Sequence, residues 1–348
     1  MSSLREPQRT VSPPQLNQQG LPSEASSNTS ILWRIGPYVA IARPDHWIKN
    51  VFMALGVLLA CFYHPELFQK EAIVPIIWAV ATTCLIASSN YVLNEILDAP
   101  TDCNHPVKRF RPIPSGQVIL SLAYVEWAFC GAIGLAMASV LNRPFFFSGL
   151  FLLIMGLIYN VPPIRSKELP YLDVLSESIN NPIRLLLGWF AVTHAELPPL
   201  SLLVSYWMLG AFFMAAKRFA EFRFIGHSET ATAYRSSFRY YDEQKLLISM
   251  FFYTTCFALF LGVFIVRWHL ELILFVPLIA GFMSYYLHVA FKHESAAQSP
   301  ERLYREKGLI AYLLICLAVF VVLMFVQIPL VYQLLNVPPS PVSPLWKF

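Results

Sequence analysis

From Trp47 onward the chain alternates between long apolar runs and short polar connections. A helix needs about 20 apolar residues to cross about 30 Å of hydrocarbon. Nine stretches approach that length: 47–63, 72–93, 118–141, 144–159, 171–192, 197–216, 246–266, 272–291 and 308–332. The first and fourth are short and the fifth carries charges, so eight crossings is the other count the pattern allows. No repeat of about 20–50 residues marks a soluble solenoid. Residues 1–30 are rich in Ser, Pro and Gln and lack an apolar signal core, so a disordered tail is expected there. The pattern then predicts one transmembrane domain over 31–335 and a short carboxyl-terminal tail over 336–348.

Composition agrees with the pattern. The 348 residues are 56% hydrophobic and 13% charged, with a mean hydropathy of +0.53. A soluble domain carries about 25% charged residues; with half of that, the chain could not cover a water-facing surface. High hydrophobicity excludes disorder for most of the chain. The net charge of +4 is too small and scattered for a nucleic-acid reader. Six cysteines show neither paired nor metal-ligand spacing, and four of them, Cys84, Cys130, Cys256 and Cys316, lie in apolar runs, so no disulfide and no zinc site is expected.

The placement of the charges matters more than their sum. If the spans alternate in direction, twenty of the twenty-five Lys and Arg fall on the face of the amino-terminal tail. The positive-inside rule makes that face cytoplasmic, with the amino terminus in and the carboxyl terminus out, in the inner membrane. The longer polar loops lie there too, so the chemistry is expected at the cytoplasmic mouth.

The second span ends in Asn94-Glu95-Ile-Leu-Asp98-Ala-Pro100-Thr-Asp102. At about 100° per residue, Asn94, Asp98 and Asp102 stay on one face with Glu95 at its edge. Crowded carboxylates repel one another unless a cation neutralises them, and hard oxygen ligands suit Mg²⁺ bound together with substrate phosphates. A solvated helix end is the plainer reading of the same residues. The loop that follows holds His105, Lys108, Arg109 and Arg111, stiffened by Pro106, Pro112 and Pro114, and reads as a clamp for phosphate.

The run N-E-x-x-D-x-x-x-D followed by H-P-x-K-R-x-R-P-I-x-x-G resembles the first signature of the UbiA superfamily of intramembrane prenyltransferases. The resemblance implies an all-α fold of nine helices around a central cavity, with two Asp-rich motifs holding Mg²⁺ and a diphosphate. Two departures stand out: Glu95 replaces the usual Asp, and Pro100 interrupts the helical turn, so that Asp102 is expected on a re-started helix.

The second constellation lies in the fifth span. Tyr159, Arg165 and Lys167 lead into Asp173, Glu177, Asn180, Asn181, Pro182 and Arg184. With Asp173 at zero, Glu177 falls near 40°, Asn180 near −20°, Asn181 near 80° and Arg184 near 20° on a helix, about one shared face. Charges in a span cost about 2.5–3.5 kcal/mol each on insertion scales, so they should face a cavity and find partners. A Glu177–Arg184 structural pair is the alternative. Asp173 and Glu177 resemble the superfamily's second motif, here D-x-x-x-E, which makes them metal ligands by resemblance, with Tyr159, Arg165 and Lys167 on the phosphate side.

Arg43-Pro-Asp-His-Trp47-Ile-Lys49-Asn50 and Lys217-Arg218-Phe-Ala-Glu221 narrow the resemblance to the decaprenyl-phosphate phosphoribosyltransferase branch. Trp47 suits the interface and Lys49 a lipid phosphate, although an anchor tryptophan beside a snorkelling lysine fits equally. Lys217, Arg218 and Glu221 sit where substrate arrives, or form a helix-surface pair. The stretch 222–245 is expected to lie over the cavity as an amphipathic segment, with Ser236, Ser237, Tyr240 and Tyr241 near a sugar; Glu126 and His288 are expected to be packing features.

The leading reading is Mg²⁺-dependent transfer of 5-phosphoribose from phosphoribosyl pyrophosphate to a polyprenyl phosphate. Prenyl transfer from a prenyl diphosphate to an aromatic or other acceptor comes next. A transporter ranks last, because no inverted repeat is visible and the polar residues cluster at one face. The expected partners are the membrane, a phosphorylated lipid substrate and a diphosphate-bearing co-substrate, with no nucleic acid; a homo-oligomer is left open.

Overall fold

The computed structural model describes residues 31–67, 69–103, 108–194, 196–225, 236–292, 295–298, 303 and 306–338. The expected tail over 1–30, His105 and Pro106 of the basic loop, 226–235 of the segment over the cavity and 339–348 lie outside the described residues.

Twelve α-helices are described, and no strand is found among the described residues. They are α1 (Ile31–Ile41), α2 (Met53–Tyr63), α3 (Ile73–Asp102), α4 (Leu120–Leu141), α5 (Arg143–Asn160), α6 (Leu172–Ser178), α7 (Asn180–Val192), α8 (Leu200–Ile225), α9 (Glu243–Trp268), α10 (Val276–Ala290), α11 (Lys307–Phe325) and α12 (Pro329–Leu335). Eight helical stretches among the described residues are long and apolar enough to cross a membrane, and they match eight of the nine expected spans.

The fifth expected span is a pair of short helices, α6 and α7, meeting at Ile179. The charges of that span therefore do not share one face: Asp173 and Glu177 turn toward α8, whereas Arg184 reaches Asn50 in the 3-10 stretch Pro44–Phe52 that precedes α2. A second difference concerns Pro100. Helix α3 continues through it to Asp102, so the acidic residues 95, 98 and 102 ride on one continuous helix instead of a re-started one.

Among the described residues, two helix starts carry side-chain caps. Asn142 accepts the Phe145 amide at 2.8 Å at the start of α5, and Asp242 accepts the Lys245 amide at 2.7 Å at the start of α9. One interior cluster joins α2, α5 and α7, with Met53, Phe145, Leu152, Leu187 and Trp189 buried; another joins α8, α9 and α10 through Phe219, Phe238, Tyr253 and Tyr286. Large apolar side chains such as Val74, Val140, Phe251 and Leu314 lie exposed on the helices. Water would penalise that surface and hydrocarbon does not. The ends of α3, α5 and α8 and the starts of α6 and α9 gather at one end of the bundle, where the polar residues of both constellations meet.

Candidate active site

At the end of α3, Asp98 Oδ1 accepts Lys167 Nζ at 2.5 Å and Arg165 Nη2 at 3.0 Å. The same ammonium reaches Asn160 Oδ1 at 2.9 Å and Asn94 Oδ1 at 3.2 Å, and stands 5.9 Å from the centre of the Tyr159 ring. Arg165 adopts φ 32°, a left-handed turn that swings its guanidinium back from the α5–α6 connection toward α3, where Glu168 Oε1 takes Nε at 2.5 Å. One helical turn on, Asp102 accepts Arg111 Nη1 at 2.6 Å and lies 3.9 Å from Lys108 Nζ. Glu95 is buried and accepts the Ile113 amide at 3.2 Å, which pins the basic loop to the helix.

The second carboxylate pair is organised by Arg218. Its guanidinium is completely buried and contacts Asp173 at 3.2 Å, Glu177 at 2.7 Å and Glu221 at 3.1 Å. Asp173 is also inaccessible; besides Arg218 it accepts Tyr241 Oη at 2.6 Å and Ser237 Oγ at 3.2 Å. Burial, and then the Asp173 charge, push the Tyr241 hydroxyl above the ordinary tyrosine range, so it stays a donor. Glu177, partly exposed, also accepts Tyr159 Oη at 3.1 Å. Tyr159 thus lies between the two acidic groups, its hydroxyl on Glu177 and its ring beside Lys167, the partner of Asp98.

Among the described residues, no three His, Cys, Asp or Glu side chains are grouped so that they could hold one metal ion. A divalent ion here would draw on asparagine carbonyls and on its ligand's own oxygens as well as on carboxylates, which is how Mg²⁺ commonly binds.

The model of the UbiA prenyltransferase family matches residues 50–313. The chain belongs to that family. It is 29% identical over 216 residues to the decaprenyl-phosphate phosphoribosyltransferase of Corynebacterium glutamicum, a match covering 59% of each chain. To the enzyme of the same name from Mycobacterium tuberculosis it is 31% identical over 209 residues, 60% of this chain and 67% of that one. The match thus spans about three fifths of the Corynebacterium relative's length. A solved UbiA homolog from Archaeoglobus fulgidus, bound to GPP and Mg²⁺, superposes with a TM-score of 0.61 at 19% identity, covering 81% of this chain and 99% of that one. At that identity the likeness shows the fold, and the fold is that of an integral, multi-pass UbiA bundle.

Within this UbiA-family bundle the remaining expected residues fall in two groups. Arg184 is buried in α7; Nε donates to Asn50 Oδ1 at 3.0 Å and Nη1 to the Asn180 carbonyl at 3.3 Å. Asn50 in turn donates to Cys84 Sγ at 3.2 Å, tying α2's approach to α3. Asn181 packs against Gly210 of α8, where a Cβ would stand 2.5 Å from its Nδ2. Glu177 and Arg184 do not pair with each other, since each has the other partners named above. The second group stays at the edge. Lys49 is half-buried on the 3-10 stretch before α2, Lys217 is half-buried on α8, and Arg109 is exposed with its guanidinium 4.8 Å from the Phe110 ring. Trp47 is exposed and donates to Ser88 Oγ at 2.9 Å.

Sequence reasoning passed over Asn160, which closes the oxygen ring around Lys167, and assigned Ser237 and Tyr241 to a sugar although they hold Asp173. Asn160 follows Tyr159 directly, and that adjacency was the available signal.

Proposed function

We propose that this UbiA-family protein is a membrane enzyme that transfers 5-phosphoribose from phosphoribosyl pyrophosphate to a polyprenyl phosphate, releasing pyrophosphate, with the reacting mouth on the cytoplasmic face, the amino terminus inside and the carboxyl terminus outside. The observation that carries this reading is a division of cations. Lys167, Arg165, Arg111 and Lys108 gather on the carboxylates of α3, while Arg184 is buried with neutral partners among the described residues. A buried cation without a counter-charge is costly. Two separate anionic groups, a diphosphate at the mouth and a lipid monophosphate deeper in, would balance both sets. Prenyl transfer to a neutral acceptor would need only the first. The phosphoribosyltransferase names of the sequence relatives support the same choice.

The hard oxygens of Asn94 and Asp98, already gathered about a cation, fit Mg²⁺. The ion would neutralise charge on the departing pyrophosphate. Lys108 and Arg111 add positive charge beside that group from the loop, and Arg165 from the opposite side of Asp98. Tyr159 and Glu177 border the ribose position. As the C1–diphosphate bond breaks, the sugar becomes oxocarbenium-like, and a lipid phosphate oxygen held by Arg184 forms the new bond at C1. The phosphate is already anionic, so no side chain needs to take a proton. Rate comes from positioning and electrostatics.

The test uses purified protein, radiolabelled phosphoribosyl pyrophosphate and polyprenyl phosphate. Label should enter a lipid-soluble product, and chelation of Mg²⁺ should stop it. Label that stays in water while a geranyl-type diphosphate is consumed would replace this reading with prenyl transfer.

A further inference from the structure

The 3-10 stretch Pro44–Phe52 lies along one face of α3. His46 packs on Tyr91 with ring centres 5.4 Å apart, Trp47 donates to Ser88, and Asn50 donates to Cys84, so the contacts step back along α3 by three and then four residues. Arg43, just before the stretch, holds its guanidinium carbon 5.9 Å from the centre of the Tyr91 ring. Its backbone is left-handed, with φ 53° and ψ 59°, although the next residue is Pro44. A residue before proline is ordinarily extended, so this conformation is strained, and strain of that kind gathers at functional sites.

Two guanidiniums meet at Tyr91. Arg43 lies over its ring, and Arg184 lies beside its hydroxyl. Arg184 has the neutral partners described above. Arg43 makes no side-chain hydrogen bond and no close ion pair among the described residues; Asp45 and Glu95 act on it from farther away, and Arg111 opposes them. A half-buried guanidinium without a close counter-charge is costly to keep unless an anion comes to it. The outward side of the same stretch exposes Ile48, Val51 and Phe52. A lipid whose head lies at Tyr91 therefore has an apolar edge for its tail to follow.

We infer that Arg43 and Arg184 clamp the acceptor phosphate together at Tyr91, and that Arg43 makes the site selective for a phosphate monoester over a diester. The inference rests on the reading above that the acceptor is a lipid phosphate. A phosphate monoester carries a charge of about −1.5 to −2 near neutral pH. Arg184 alone balances only part of that charge, and the second guanidinium balances the rest. When the lipid phosphate oxygen bonds to C1, pyrophosphate leaves with the electron pair of the broken bond, and the headgroup becomes a diester with a single negative charge. The clamp then holds one cation too many. Product leaves more readily than substrate binds, and the singly charged diesters of ordinary phospholipids compete poorly for the site.

The experiment titrates farnesyl phosphate, and separately its methyl diester, into the full chain in detergent by calorimetry. Wild type should bind the monoester about tenfold or more tightly than the diester, the size expected for one charged hydrogen bond. Arg43→Gln should remove most of that preference while leaving diester binding near its wild-type value, and Arg43→Lys should restore part of it. Tyr91→Leu, which takes away the ring beneath Arg43, should lower the preference in the same direction. Helical circular dichroism establishes that each variant is folded. A folded Arg43→Gln protein that keeps the wild-type preference, or that loses both lipids equally, overturns the inference and leaves the transferase reading standing. A wild-type protein that binds neither lipid phosphate while consuming a geranyl-type diphosphate overturns both.

Discussion

Gly188 of α7 lies against the carbonyl oxygen of Met53 in α2, so close that a Cβ at position 188 would stand 1.9 Å from it. The contact is reciprocal, because a Cβ at Gly56 would stand 2.0 Å from the Leu185 carbonyl. Two backbones touching through paired glycines is the means by which membrane helices gain packing without a hydrophobic driving force. This crossing brings Asn50, just before α2, within reach of Arg184 on α7.

Gly188→Ala should force the two helices apart. Overpacking of this kind costs about 1–3 kcal/mol, and the Arg184–Asn50 hydrogen bond should be lost with it. The thermal midpoint in detergent is expected to fall, together with transferase activity. An unchanged midpoint would show that the helices do not meet in this way.

Asp98→Asn keeps the shape of a side chain that now balances both Lys167 and Arg165 but removes its charge. Loss of one preorganised electrostatic group commonly costs about 10²–10³-fold in kcat, and turnover should drop by at least that factor while the protein still folds. Full activity in folded Asp98→Asn would falsify the placement of the diphosphate at α3.

Arg184→Gln tests the two anionic sites proposed above. With the guanidinium gone, KM for the polyprenyl phosphate should rise about tenfold or more, in line with loss of a charged hydrogen bond, while KM for phosphoribosyl pyrophosphate stays near the wild-type value. Equal effects on both substrates would place Arg184 outside the lipid-phosphate site.

Glu126 lies on α4 with Oε2 buried and without a hydrogen-bond partner among the described residues. An unsatisfied buried polar atom costs about 1–3 kcal/mol. Glu126→Leu should therefore raise the thermal midpoint and leave activity unchanged. A lower midpoint would reveal a contact that the carboxylate makes and leucine cannot.

Periodicity and length alone located eight of the spans, because a helix in hydrocarbon must satisfy its own backbone and must be apolar over a fixed length. The α3 acidic row was legible for a similar reason: positions 94, 98 and 102 share a face on any helix. Their partners were much less so. The spacing from Asp173 to Arg184 implied one face, but the break at Ile179 sends the two ends to different neighbours. Periodicity cannot register such a break when the residues around it remain helical.

The sequence by itself determined the class of chain, the crossings and the residue types that gather at one end, since each follows from local length, hydropathy and charge. Only the tertiary structure decided which cation answers which carboxylate. Lys167 lies 69 residues from Asp98, Arg218 45 from Asp173 and Arg184 134 from Asn50. Distances of that kind are set by how helices cross, through contacts such as Gly188 on Met53, and the backbone's local preferences carry no record of them.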